Sequence, residues 1–301
     1  MIRNHKWIVI FLLLLLLAGI AIILLDSKPK PESNIPAVFD ANRAFDDVLV
    51  QMSLGPRIPG SQSHADVIAY IQKELKIAGW KAILQKINYQ GHEIQNIIAS
   101  RGDSTKPVTI TAAHYDSRMR ANQDADPSLA SQPVPGANDG ASGVAVLLEM
   151  ARVMPEASSQ NVWLVFFDAE DQGDLPGWDW ILGSQAFVEN LTQPVKQAVI
   201  IDMIGDKDLD IYREKSSTQS IVDEIWSDAA SLDYSQYFIN KPKYAMLDDQ
   251  TPFLDAGIPA VDIIDFDYPY WHTSADTADK VSPQSLKVVG DTLIQWLSER
   301  E

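Results

Sequence analysis

The chain has 301 residues, no cysteine and a formal net charge of -17. The lack of thiols excludes disulfides, thiolate catalysis and a lipid-bearing cysteine, so any bound metal must be held by histidine and carboxylate. The negative balance excludes nucleic acid as a favourable partner, since the phosphate backbone needs a basic surface.

Residues 1–6 form a short tail carrying Arg3 and Lys6. An uninterrupted apolar run, 7–25, follows and is long enough as a helix to cross about 28 Å of hydrocarbon. Asp26, Ser27 and Lys28 come next in place of a small-residue cleavage site, so the run reads as an uncleaved anchor. Residues 26–37, "DSKPKPESNIPA", are a proline-stiffened tether. The expectation is a single-pass membrane protein whose domain, 38–301, lies on the extracytoplasmic side, as in a bacterial extracytoplasmic protein.

Within that domain, "FDANRAFDDVLVQM" and "SQSHADVIAYIQKELKIAGW" have helical spacing of apolar residues, the second capped by Ser61 and stopped by Gly79. "KAILQKINY", "EIQNIIASR" and "VTITAAHYDS" read as neighbouring strands. From Gly136 onward helix and strand alternate: "SGVAVLLEMARVM", "NVWLVFFDAE", "GSQAFVENL", "QAVIIDMIG", "IVDEIWSDAASL", "TPFLDAG", "AVDIID" and a closing helix, "PQSLKVVGDTLIQWLSE". This order predicts an α/β fold with a mixed, mostly parallel central sheet flanked by helices on both faces.

In such sheets ligands bind outside the carboxyl ends of the strands. Four strand ends carry chemistry there: His114 with Asp116, Glu170 with Asp171, Asp202, and His272 in "YPYWHTSADT". Of five histidines, His5 precedes the apolar run, and His64 and His92 have no acidic cluster beside them, so solvent exposure or packing is their expectation. Asp139, in "GANDGASG" just ahead of a helix, has a helix cap as its plain alternative. Asp202 has a salt bridge as its alternative. The adjacent carboxylates of "FFDAEDQG" repel unless a proton or cation lies between them.

The motifs "AAHYDSR", "GANDGASGVAVLLEMAR", "FFDAEDQG", "IDMIGD" and "YPYWHT" resemble those of the M28 metallopeptidase superfamily, and look most like its glutaminyl-peptide cyclotransferase branch. The resemblance runs from Phe39 to the end. It implies a first zinc ion on Asp139, Asp171 and His272, with Glu170 as acid and base. His114 and Asp202 imply a second ion where two are present: one zinc for a cyclase, two for an aminopeptidase. In the cyclase branch Asp202 and Asp248 imply a catalytic hydrogen-bond network, and Trp178 and Trp271 a pocket wall. Trp180 is weighed equally between pocket and core, and Asp276 is expected in a turn or behind a ligand. The implied substrates are peptide or protein amino termini. A cyclase converts amino-terminal glutamine to pyroglutamate with loss of ammonia, whereas an aminopeptidase hydrolyses the first peptide bond. A metal-free receptor or scaffold is the third reading. The chain departs from the cyclase pattern at Leu247, at Gln250, where histidine is usual, and in the long loop "MRANQDADPSLASQPVP".

Overall fold

A computed structural model describes residues 38–102 and 106–298, all within one compact unit, Ala37–Glu301. No helix among the described residues is long and apolar enough to cross a membrane, and the apolar run 7–25 lies outside them.

Helix α1 (Ala41–Leu54) starts at Asp40, whose carboxylate accepts from the backbone N–H of Asn42 and Arg43. Helix α2 (Gln62–Ile77) starts at Ser61, whose hydroxyl accepts from His64 N–H. Both caps satisfy amide groups that a helix start leaves free. The sheet then begins with a hairpin, β1 (Lys81–Tyr89) and β2 (His92–Ser100). It continues through β3 (Val108–His114), α3 (Ala141–Val153), β4 (Val162–Phe167), α4 (Leu182–Glu189) and β5 (Val195–Asp202).

After β5 come β6 (Ile211–Arg213), α5 (Gln219–Ser231), β7 (Phe238–Pro242), α6 (Thr251–Asp255), β8 (Ala260–Ile264) and α7 (Pro283–Ser298). The strand order is β1-β2-β4-β3-β5-β8. The first two pairings are antiparallel and the remaining three parallel, as a mixed, mostly parallel sheet requires. A separate two-stranded parallel sheet, β6 with β7, was not legible in the sequence. Its strands are three and five residues long, too short to show a periodicity.

Burial explains why the central strands are continuously apolar. Ala113, Leu164, Phe166, Val199, Ile201, Val261 and Ile263 face a core built with α1, α2, α3, α5 and α7. Their alternates Ala112, Val165, Phe167, Ala198, Ile200 and Ala260 face Phe187 of α4 and Phe253 of α6. Helices thus cover both faces, and each large buried side chain contributes about 1.5–3 kcal/mol.

Parallel register sets the site. His114 is level with Phe167, the last residue of β4, and Asp202 is level with Ile264, the last residue of β8. Ala112 pairs with Ile200, so His114 and Asp202 stand side by side at the ends of adjacent strands. The chain leaves β3 for β4 on one side and later places β5 on the other, which opens a crevice at this point.

Candidate active site

His114, Asp139, Asp171, Asp202 and His272 converge outside these strand ends, and all five are buried. His114 Nε2 is 3.1 Å from Asp139 Oδ1 and 3.1 Å from Asp202 Oδ1. His272 Nε2 is 2.7 Å from Asp171 Oδ1 and 3.8 Å from Asp139 Oδ2. Asp139 therefore turns one oxygen toward each histidine. Two sets of ligand atoms result, His114–Asp139–Asp202 and Asp139–Asp171–His272, each within 4.8 Å.

Asp139 is not a helix cap: Gly140 occupies the cap position of α3 and makes no side-chain cap bond. Gly140 is needed for another reason. A Cβ there would lie 2.5 Å from the His114 carbonyl oxygen and 2.7 Å from its ring. Asp276 sits behind Asp139, accepting from the N–H of Asn138 at 2.9 Å, the N–H of Asp139 at 3.2 Å and the Tyr268 hydroxyl at 2.6 Å. Asp116 plays the matching part for the acidic pair, accepting from Glu170 N–H, Asp171 N–H and the Gln172 amide. Left-handed backbone at Ala169, Ile181, Met203 and His272 gathers around the same crevice, a conformation costing on the order of 1 kcal/mol per non-glycine residue.

The residues fit a divalent cation. Asp139 Oδ2 and Asp171 Oδ2 are buried without a hydrogen-bond partner, and uncompensated carboxylate oxygens in a dry site are costly. Two imidazoles and three carboxylates are a donor set that zinc accepts. Without a cation, burial and then the Asp139 charge push Asp171 up to about 6. Burial, against the opposing pull of His114 and with the charges of Asp248, Asp171 and Asp249, pushes the Glu170 carboxyl well above its usual range. A divalent ion adds the positive charge that holds the carboxylates around it ionised.

Beside these groups is a cavity of about 220 Å³, lined by Glu170, Asp202, Asp248, Trp180, Trp271, Phe266 and Met246 among others. The Trp271 ring stacks on His272 at 3.7 Å, and the Trp180 ring lies parallel to the same imidazole at 5.8 Å. Arg118 holds Trp180 from behind, with its guanidinium 4.8 Å from the indole centroid. Trp178 is elsewhere: it stacks on His92 at 3.7 Å and packs against the small cluster of Ile94, Ala169, Leu182 and Ala186. The pocket-wall expectation for Trp178 is therefore corrected to Trp180. Only Asp179 stands between them, just after Gly177 at φ 86°, yet one indole reaches the hairpin and the other the cavity.

Three features escaped the sequence reading. Asp249 and Asp262 extend the buried acidic group, each with both carboxylate oxygens shut off from solvent; an aspartate inside the apolar strand "AVDII" was the available signal. Arg57 is fully buried and donates to the carbonyls of Tyr115, Pro135 and Gly136, placing a positive charge behind the site. His64 takes the packing alternative, and what was not foreseen is its partners: its Nε2 is 2.7 Å from Asp168 Oδ1 and 3.0 Å from the Tyr115 hydroxyl.

The chain is similar to known proteins over most of its length. A zinc-dependent exopeptidase from Parabacteroides distasonis superposes with a TM-score of 0.82 at 34% identity, covering 88% of this chain and 100% of that one. A glutaminyl cyclase from Tannerella forsythia gives 0.82 at 32% identity over 88% and 100% of the two chains. A leucine aminopeptidase precursor from Bacteroides thetaiotaomicron gives 0.82 at 30% identity over 88% and 99%. Residues 96–297, which include every strand end of the site, match the model of peptidase family M28, and the chain belongs to that family.

Proposed function

We propose that this chain is a zinc-dependent glutaminyl-peptide cyclotransferase, converting an amino-terminal glutamine to pyroglutamate. The observation that carries this reading is the cavity itself. About 220 Å³ walled by Trp180, Trp271 and Phe266 suits one side chain, and Glu170, Asp202 and Asp248 supply its acidic face. The solved glutaminyl cyclases of similar fold support it.

Asp139, Asp171 and His272 would hold zinc, which supplies a Lewis acid for the oxygen of the glutamine side-chain amide. Glu170 takes a proton from the substrate's α-amine as that nitrogen forms a bond to the side-chain carbonyl carbon. The same carboxyl then returns a proton to the side-chain nitrogen, whose bond to carbon breaks and which leaves as ammonia. Glu170 ends as it began and no water is consumed. Asp202 and Asp248 stabilise the nitrogen while it carries positive charge, and the indoles keep water out.

The second reading is a zinc aminopeptidase. It rests on the complete set His114, Asp139 and Asp202, which is able to hold a second ion, and on the aminopeptidase of similar fold. Glu170 would then activate a water against the first peptide carbonyl. We propose further that the apolar run 7–25 anchors the enzyme and that residues 38–301 act on the extracytoplasmic side; the unbroken hydrophobicity of that run supports the anchor, and the short tail with Arg3 and Lys6 ahead of it the orientation.

The test is to incubate residues 32–301 with zinc and either a Gln-initiated or a matched Leu-initiated peptide, followed by mass spectrometry. Ammonia loss from the Gln peptide alone is the expected result. Release of free leucine instead would replace the cyclase by the aminopeptidase.

A further inference from the structure

A protein substrate enters the cavity by its first residue, and the rest of its chain must leave over the rim. Among the large apolar residues lining the cavity, Leu247 is the exposed one, at 58%. Leu247 also lines a second cavity of about 480 Å³ between α4 and α6. The two cavities therefore share one apolar ridge.

The outer groove has a definite chemistry. Its walls include Tyr89, Gln185, Glu189, Pro252 and Asp255, and no basic residue lines it. Glu189 accepts from the Tyr89 hydroxyl at 2.6 Å, and Gln185 donates to the Trp180 carbonyl at 3.4 Å, tying the groove floor to the pocket wall. Glu189 and Asp255 are exposed.

We propose that the substrate polypeptide passes over Leu247 and lies in this groove, where Glu189 and Asp255 favour basic side chains at its third or fourth position. An extended chain advances about 3.3–3.6 Å per residue, so those positions fall roughly 7–11 Å beyond the first residue. The inference rests on the cyclase reading.

The experiment compares kcat/KM for Gln-Ala, Gln-Ala-Lys-Lys-Ala and Gln-Ala-Glu-Glu-Ala. The expected Lys-to-Glu ratio for two exposed charges is roughly two- to fivefold at low salt. It should shrink toward one in 1 M salt, where the screening length is about 3 Å. The variant Glu189→Lys with Asp255→Lys should invert the ratio. Because the net charge of -17 would itself favour lysine, Asp66→Lys with Glu156→Lys serves as the matched control and should retain the ratio.

A ratio of one in the parent enzyme, or equal loss in both double variants, overturns the groove. No turnover of Gln-Ala overturns the cyclase reading, which separates the two failures.

Discussion

His272 and Asp139 show why single side chains here act only as placed by others. Backbone at φ 55° turns the His272 ring back into the crevice, and Trp271 stacks on it. His272→Ala is expected to lose bound zinc and turnover while the far-ultraviolet circular dichroism stays that of the parent. Zinc at parent level by elemental analysis would remove His272 from the ligand set. Glu170→Gln should keep zinc and lower kcat by about 10²–10⁴, the usual size of an acid–base contribution. Asp276 touches no ligand atom of the site but accepts the N–H groups of Asn138 and Asp139. Asp276→Asn keeps the shape and loses one acceptor, and a zinc affinity lowered about 10–100-fold is expected, read by competition with a chelator.

Loops and strand ends, taken as elements, were read in the sequence to different depths. The apolar strands "VTITAA", "NVWLVFF", "QAVII" and "AVDII" each end in the crevice, so the rule that ligands bind beyond parallel strands located His114, Glu170, Asp171 and Asp202 correctly in space. What that rule lacks is direction within a loop. Trp178 and Trp180 are equivalent by composition, yet Trp178 stacks on His92 while Trp180 lines the cavity. Buried partners drawn from distant elements were equally hidden: His64 reaches Asp168 across 104 residues, a pairing that no local periodicity encodes. Gly173 carries the consequence of that loop geometry. A Cβ at Gly173 would lie 2.0 Å from the Trp180 ring, so Gly173→Ala must displace the indole that lines the cavity. The expected outcome is a raised KM for Gln peptides with zinc content preserved. An unchanged KM would show that Trp180 does not bound the substrate.

At the scale of the whole molecule, the two helical layers bury a sheet whose open end concentrates like charge. A zinc ion held by the native site would have no comparable site in the unfolded chain, so its removal is expected to lower stability by mass action. Beyond the cation, Asp249 and Asp265 are each pushed up to about 7, chiefly by burial and then, among other carboxylates, by Asp116 and Asp202 for the first and Asp206 and Asp267 for the second. The sign follows directly. Folded-state values above the unfolded value of about 3.9 mean that the native protein binds more protons than the unfolded chain between about pH 4 and pH 7. Stability of the chelated protein should therefore fall as pH rises through that window and level off above it. The zinc-loaded protein should melt higher throughout, since the cation compensates the crevice while leaving Asp265 to titrate. Melting curves of chelated and zinc-restored samples between pH 4.5 and 8 check both statements. A chelated protein that gains stability steadily across this range would mean that carboxylates stabilised as anions outweigh those held protonated, and would contradict the reading of this end of the sheet as an acidic crevice awaiting a cation.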